Sequence, residues 1–346
     1  MRKFFGLGSA IVVVAAATIG GAVSPAGATY PGPNGRLAFT HCERAIGGCQ
    51  IFTSNPDGSA LDQVTTDGES FLPDWSPDGT KIAYASTASG DVAIWIADAD
   101  GSNARKLTPN DPNSDDLWPR FHPDGDRILY VNCLSFDCDG GLYSVRLDGT
   151  HRHAVTPNSG ASYNVGEYSP NRHRLAYMRW HVDGVKMGIY VARPDGSRER
   201  LITPPRLEAW YPDWAPSGDN ILFSDRIFFD RPNLSIYTIH PDGSGLTELT
   251  DNPFRINDWG AAYSPDGRKI VFNSDRRAGC YGCGDLFIMT ADGAHTWMVH
   301  LPFDAYDVRW GSAPLSTAPS EPTVATWVVP PTPFQPWRDA VGFTRG

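Results

Sequence analysis

Five charged residues recur at nearly equal intervals, each directly before an aromatic residue: Asp74, Arg120, Glu167, Asp213 and Arg309. Ala262 holds the sixth equivalent position. Carboxylate and guanidinium groups around a common axis can bind a charged or zwitterionic ligand. The same groups can instead neutralise one another in a purely structural ring of ion pairs. The pattern leaves both interpretations open.

A second set of residues, slightly nearer the N-terminus in each interval, is aromatic: Phe71, Trp118, Trp210, Tyr211, Trp259 and Tyr306. A collar of such rings can stack on sugars or hold an extended peptide, and packing between repeats is the structural alternative. Acidic or polar residues precede Trp118 and Trp259, so we expect these two rings to be exposed.

The six cysteines fall into three local pairs, Cys42 with Cys49, Cys133 with Cys138, and Cys280 with Cys283. Their even number and short spacings predict three disulfide bonds that act as staples in an oxidising compartment. A redox site or a metal site at Cys280 and Cys283 is the alternative. A redox C-x-x-C normally opens a helix, whereas this one follows a predicted strand.

Motifs of known catalytic or metal chemistry are absent from the sequence, which contains neither G-x-S-x-G nor H-E-x-x-H. The acidic loop from Asp111 to Asp116 lacks the glycine and the terminal acid of a calcium-binding loop. We therefore predict no catalytic residue, no bound metal and no cofactor. The alternative is a carbohydrate-active enzyme that uses Asp74, Glu167 and Asp213 as channel carboxylates.

The side chains above belong to a sequence repeat of 46 to 49 residues. One aromatic residue per repeat marks this interval: Trp75, Phe121, Tyr168, Trp214, Tyr263 and Trp310. Each copy continues with an aliphatic and aromatic strand such as Ile82-Ala83-Tyr84, a third apolar segment and a short fourth one that often ends in Thr. Asp-Gly pairs follow the third segment, and such pairs predict type I′ hairpins with positive φ at both residues.

Four antiparallel strands in about 45 residues are typical of a propeller blade. The sequence therefore predicts an all-β, six-bladed β-propeller. The first repeat lacks its innermost strand, so we expect the segment near Trp310 to pair beside Leu37 and close the ring. A linear solenoid would need polar capping repeats, which neither end shows.

The turn Trp75-Ser-Pro-Asp-Gly79, the strand Lys81-Ile-Ala-Tyr84 and the later Asp100-Gly101-Ser102 and Leu107-Thr108 resemble the repeat of TolB-type β-propellers. The resemblance covers residues 35–312. The periplasmic representative of that family binds protein partners of the cell envelope, so the resemblance implies a binding function. The repeat is also similar to propellers of prolyl-oligopeptidase-like peptidases and of some polysaccharide lyases, so the fold alone does not determine function.

The chain ends differ from the repeats. Residues 1–28 have a basic start, an apolar stretch and an Ala-Gly-Ala cleavage pattern, which predict a signal peptide and export to the cell envelope or the medium without stable membrane insertion. Residues 29–312 form the predicted propeller, and the Pro-rich residues 313–346 form a tail that we expect to dock on it or to bind a partner.

The net charge of −10 and the absence of any Lys/Arg cluster larger than short pairs argue against a nucleic-acid partner. Function usually lies on variable loops held by a rigid frame. We therefore predict a secreted, monomeric, non-catalytic module. It presents the face with variable connections, and the channel mouth, to an envelope or extracellular protein or glycan.

Overall fold

The computed structural model describes residues 31–134, 138–156, 161–181, 187–226, 233–252, 256–277 and 284–316, without the side chains of Trp180, His181 and Arg226. The predicted signal peptide, residues 317–346 of the tail, the pair Cys280 and Cys283 and parts of several variable connections lie outside the described residues. Within this part of the chain, no helix is long and apolar enough to cross a membrane.

The described residues form 24 strands in six four-stranded antiparallel sheets, which confirms the predicted six-bladed, all-β propeller. Blade 1 contains β24 (Tyr306–Trp310), β1 (Leu37–Glu43), β2 (Gly48–Ser54) and β3 (Asp62–Gln63), with a 3-10 turn at Arg44–Ile46. Blade 2 contains β4 (Ser70–Trp75), β5 (Lys81–Ser86), β6 (Ala93–Asp98) and β7 (Arg105–Lys106). Blade 3 contains β8 (Asp115–Phe121), β9 (Arg127–Cys133), β10 (Leu142–Arg146) and β11 (His153–Ala154).

The remaining three blades repeat this order. Blade 4 contains β12 (Ala161–Tyr168), β13 (Leu175–His181), β14 (Gly188–Ala192) and β15 (Arg200–Leu201). Blade 5 contains β16 (Glu208–Trp214), β17 (Ile221–Arg226), β18 (Leu234–Ile239) and β19 (Thr247–Glu248). Blade 6 contains β20 (Asp258–Tyr263), β21 (Lys269–Ser274), β22 (Asp285–Thr290) and β23 (Thr296–Met298).

The ring closes as predicted, because β24 pairs with β1 and places Trp310 opposite Leu37. The Trp310 indole Nε1 donates to the Gly35 carbonyl at 3.0 Å. Beyond the strand, Ala313 is buried beside Ala38 and Trp75, so the first residues of the tail contact blades 1 and 2. This closure removes the open edges of a linear array.

Aromatic cross-strand pairs fill each blade between its second and third strands. Stacked or tilted rings include Phe39 with Phe52 at 6.4 Å between centroids and Phe223 with Tyr237 at 5.6 Å. Such rings bury large apolar areas against neighbouring blades. Threonines after the fourth strands bind back to the third strand, as where Ile236 N donates to Thr250 Oγ1 at 2.9 Å.

The Asp-Gly turns differ from the type I′ prediction. At Asp100-Gly101 the glycine alone has positive φ, at 86°, and its N–H donates to the Asp98 carbonyl at 2.8 Å. The backbone of Asp100 stays outside the left-handed region. Its side-chain Oδ1 accepts a hydrogen bond from Ser102 N at 2.9 Å. The prediction of positive φ at both residues is therefore wrong, and a wider turn followed by a left-handed glycine replaces it.

Two of the three predicted disulfides, Cys42–Cys49 and Cys133–Cys138, are present. Cys42 and Cys49 are directly opposite each other on β1 and β2. Both bonds join the second strand of a blade to the connection or strand that follows, on the face opposite the Asp-Gly turns. We call that opposite face the loop face and the one with the turns the turn face.

Candidate functional site

The innermost strand of every blade contains a β-bulge that shapes the central channel. The register with the second strand shifts in all six sheets, as between Phe71 and Asp74 in blade 2. At the bulge, one residue per blade has left-handed backbone, with φ between 35° and 61°: Leu72, Trp118, Val165, Tyr211, Gly260 and Asp307. We call these six residues the bulge ring.

In blades 2 and 6, a hydroxyl group of the preceding blade binds the bulge backbone. Leu72 N donates to Thr40 Oγ1 and Gly260 N donates to Ser224 Oγ, both at 3.2 Å. A left-handed conformation costs about 1–3 kcal/mol at a residue other than glycine, and bulges commonly redirect side chains beside functional sites. The repeated bulge therefore marks the channel wall as a candidate site.

The predicted charged ring lies two residues beyond the bulge, toward the turn face, and its members are buried. Three carboxylates accept backbone N–H groups from the next blade. Asp74 Oδ2 accepts from Phe121 N at 2.8 Å, Glu167 Oε2 from Trp214 N at 3.0 Å, and Asp213 Oδ2 from Tyr263 N at 2.8 Å. These bonds link adjacent blades, which favours a structural role for this part of the ring.

The two arginines of the ring fold back on their own strands. Arg120 Nη1 donates to the Pro119 carbonyl at 2.7 Å, and Arg309 Nη1 donates to the Val308 carbonyl at 3.3 Å. Burial raises the pKa of Asp74, Glu167 and Asp307, and the positive charge of Arg120 opposes that rise at all three acids. Because these three acids belong to blades 2, 4 and 1, their side chains converge on the axis.

Burial dominates the protonation of the channel acids. It raises the pKa of Asp74 to about 6 and that of Asp307 to about 6. Burial and the neighbouring charge of Asp213 raise the pKa of Glu167 well above its usual value. The channel therefore holds several carboxyl groups that ionise only with difficulty.

The aromatic residues occupy two levels instead of one. One residue before the bulge, toward the loop face, each strand contributes a residue to what we call the collar: Phe71, Leu117, Asn164, Trp210, Trp259 and Tyr306. Trp118 and Tyr211 belong to the bulge ring one level deeper. Trp118 is only 6% exposed, so its predicted exposure is wrong, because the bulge turns it into the apolar cluster with Leu72 and Val165. Trp259 is half-buried, as are Phe71, Trp210 and Tyr306.

The half-buried collar residues lie on blades 5, 6, 1 and 2, whereas Leu117 and Asn164 on blades 3 and 4 are buried. Acidic groups surround the blade 6 and blade 1 side of the mouth. Arg277 bridges two of them, with Nε at 3.1 Å from Asp285 Oδ2 and Nη2 at 3.0 Å from Asp304 Oδ1. The open side of the mouth is thus aromatic and acidic.

One group of the described residues has metal-ligand geometry, namely His122, Asp124 and Asp126 in the blade 3 turn. Its carboxylates already bind arginines, since Arg172 Nη1 lies 2.7 Å from Asp124 and Arg127 Nη2 lies 2.8 Å from Asp126. This group lies at a turn of the turn face, away from the collar.

The bulges were not predicted from the sequence, although the sequence contains a signal for them. Proline follows the bulge residue in three blades, at Pro73, Pro119 and Pro212. Proline has no N–H to donate, so it suits a position that leaves the strand ladder.

Comparison with known proteins agrees with this architecture. The family model of the TolB beta propeller domain matches residues 36–229. An uncharacterized protein of Agrobacterium fabrum is 28% identical over 157 residues, which cover 43% of this chain and 53% of that protein. The Tol-Pal system protein TolB 1 of Novosphingobium aromaticivorans is 33% identical over 88 residues, 25% of this chain and 19% of that protein. The chain thus spans about half or less of the length of these curated relatives.

Solved structures share the fold at low sequence identity. TolB from Acinetobacter baumannii has a TM-score of 0.64 and 19% identity, with 80% of this chain and 66% of that chain covered. A putative TolB from Agrobacterium tumefaciens has a TM-score of 0.59 and 20% identity, with 82% and 94% covered. Because the family model matches more than half of the sequence, the chain belongs to the TolB β-propeller family.

Proposed function

We propose that this protein is an exported binding module that holds an extended segment of an envelope or extracellular protein at the loop-face mouth of its channel. The observation that carries the proposal is the set of four half-buried collar rings, Phe71, Trp210, Trp259 and Tyr306, around one side of the mouth. Aromatic rings on a rigid frame contribute large contact area at low entropic cost and dominate binding energy at interfaces.

Three further observations support this proposal, and the first of them also argues against catalysis. The carboxylates of Asp74, Glu167 and Asp213 are buried and accept backbone N–H groups. The match to a Tol-Pal system protein favours a protein partner over a glycan. The two disulfides of the described residues favour an oxidising compartment, as in the envelope or the medium.

The test is affinity capture from envelope and culture-medium fractions, followed by mass spectrometry. The wild-type protein and the variant Trp297→Ala should recover the same partner, because Trp297 is 38% exposed on the outermost strand of blade 6 and outside the collar. The double variant Trp210→Ala/Trp259→Ala should lose it, since removal of a central aromatic residue costs about 2 kcal/mol or more.

Equal recovery by the double variant and the wild type would overturn the collar as the binding surface. The same proteins applied to an array of envelope polysaccharides test the other ligand class. Collar-dependent binding of a glycan, without a protein partner, would replace the protein in the proposal by a carbohydrate.

A further inference from the structure

The bulge ring differs between the two halves of the channel. Blades 2, 3 and 4 contribute the apolar side chains of Leu72, Trp118 and Val165, which pack in one cluster. Blades 6 and 1 contribute Gly260, without a side chain, and the short Asp307. A Cβ built on Gly260 meets one atom within 4 Å, Asn273 Oδ1 at 3.4 Å. Space therefore exists beside Asp307 that side chains fill elsewhere in the ring.

Asp307 differs from its neighbouring acids in its partners. Asp258 pairs with Arg276 at 2.5 Å, and Arg277 bridges Asp285 and Asp304. Asp307 Oδ2 accepts one hydrogen bond, from Thr40 Oγ1 at 3.2 Å. Among the described residues, no lysine, arginine or histidine nitrogen lies within 4.0 Å of the Asp307 carboxylate, the distance that defines an ion pair. Its negative charge is therefore matched only at a distance, by Arg120 across the channel.

The side chains around Asp307 suit a cation. Tyr211 of blade 5 holds the bulge-ring position on the other side of Gly260. Burial raises the pKa of its hydroxyl, and the negative charge of Asp307 adds to that rise. Trp210, Trp259 and Tyr306 lie one level above, on the same three blades. Ammonium and guanidinium groups bind to aromatic faces and to buried carboxylates.

We propose that the notch formed by Gly260 and Asp307 receives one lysine or arginine side chain of an extended partner segment. The collar rings of Trp210, Trp259 and Tyr306 would surround the aliphatic stem, and the carboxylate of Asp307 would bind the charged end. This inference rests on the proposed function and adds the chemistry of its partner. The net charge of −10 complements a basic segment.

A single carboxylate beside aromatic rings suits an organic cation better than a metal ion. Calcium takes about six to eight oxygen ligands. Besides the Asp307 carboxylate, the notch offers Thr40 Oγ1, which lies 3.2 Å from Oδ2, and Asn273 Oδ1, which lies 3.4 Å from a Cβ built on Gly260. These oxygen atoms are fewer than calcium takes.

The experiment measures binding of two acetylated, amidated pentapeptides, Gly-Ser-Lys-Ser-Gly and its norleucine counterpart, by titration calorimetry at low salt. Norleucine keeps the stem of lysine and removes its charge. We expect the wild-type protein to bind the lysine peptide about tenfold more tightly than the norleucine peptide.

Two variants locate the site. Asp307→Asn removes the charge and should reduce the ratio of the two affinities to about one. Gly260→Leu should weaken both peptides about tenfold by filling the notch. Leu72 adopts φ 58° at the equivalent position, so a leucine can adopt the φ of 61° found at Gly260 at the stability cost of a left-handed residue other than glycine. Trp297→Ala is the control and should match the wild type.

Equal affinities for the two peptides in the wild type, no detectable binding of the lysine peptide at its solubility limit, or an unchanged ratio in Asp307→Asn would each overturn the inference. Failure of the proposed function has a different result, namely partner capture that survives Trp210→Ala/Trp259→Ala. Partner capture that depends on those tryptophans but is unaffected by Asp307→Asn leaves the proposed function standing and refutes the lysine site.

Discussion

Asp74 should make the protein less stable as it ionises. Its carboxyl is buried between blades 2 and 3, and burial raises its pKa from 3.8 to about 6. Each pKa unit corresponds to about 1.4 kcal/mol. Relative to the unfolded chain, the folded state therefore favours the protonated form of Asp74 over the ionised form by about 3 kcal/mol. Because the folded pKa is above the unfolded one, the folded state binds more protons between the two values. This contribution to stability is present below pH 4 and is lost as pH rises through 6.

Asp74→Asn removes the titration and keeps an oxygen that accepts the Phe121 N–H. We therefore expect the free energy of unfolding of Asp74→Asn, relative to the wild type, to increase by up to about 3 kcal/mol between pH 4 and pH 7. Urea denaturation followed by tryptophan fluorescence at several pH values measures this difference.

Asp78→Asn is the matched control in the adjacent turn. Hydrogen bonds from Ser76 and Thr80 outweigh burial and lower the pKa of Asp78. Its contribution to stability is present above its unfolded pKa of 3.8 and is lost as pH falls through the folded one. The Asp78→Asn difference therefore changes mainly below pH 4, in the opposite direction, and stays nearly constant between pH 4 and pH 7. A difference between Asp74→Asn and the wild type that stays constant from pH 4 to pH 7 refutes the argument that burial controls this carboxyl.

Two predictions concern the frame that holds the channel. Gly35→Ala should lower the free energy of unfolding by several kcal/mol, because a Cβ at Gly35 would lie 1.9 Å from the Ala313 carbonyl oxygen. The control Gly90→Ala should lower it by about 1 kcal/mol, because the space around Gly90 is open and only its φ of +104° opposes the substitution. Equal melting temperatures of these two variants would refute the close contact at the ring closure. Thr250→Val should lower the free energy of unfolding by about 1–3 kcal/mol, because the buried Ile236 N–H loses its acceptor. The control Thr296→Val, at an exposed position, should change the free energy of unfolding by less than about 0.5 kcal/mol. Urea denaturation compares both pairs, and similar costs for the two threonines would contradict the role of the buried hydroxyl.

The repeat made the blades predictable, because each one buries the same aliphatic and aromatic pattern against its neighbours. The pairing of β24 with β1 followed from one missing inner strand at the start and one extra strand at the end. Periodicity could also locate the charged residues before Trp75 and its equivalents. It could not show that Asp74 binds the backbone of the next blade, because that contact depends on the distance between two sheets.

The channel wall escaped prediction for a local reason. A bulge places two residues opposite one, so it shifts every earlier side chain of the strand relative to the spacing in the sequence. Trp118 and Trp210 look equivalent when counted as aromatics, yet the first lies in the bulge ring and the second in the collar. The predicted turn type was wrong because Asp-Gly suits two hairpin geometries, and in the longer turns found here the aspartate does not have positive φ.

Completion of blade 1 by β24 has a consequence for the order of assembly. The innermost strand of that blade arrives about 270 residues after its neighbour β1 in the chain, as the bond between Trp310 and Gly35 spans 275 positions. During synthesis, blades 2 to 6 can form from contiguous segments while the inner edge of β1 is still unpaired. A chaperone that shields this edge, or rapid release of the last strand, would then set the yield of correctly folded protein.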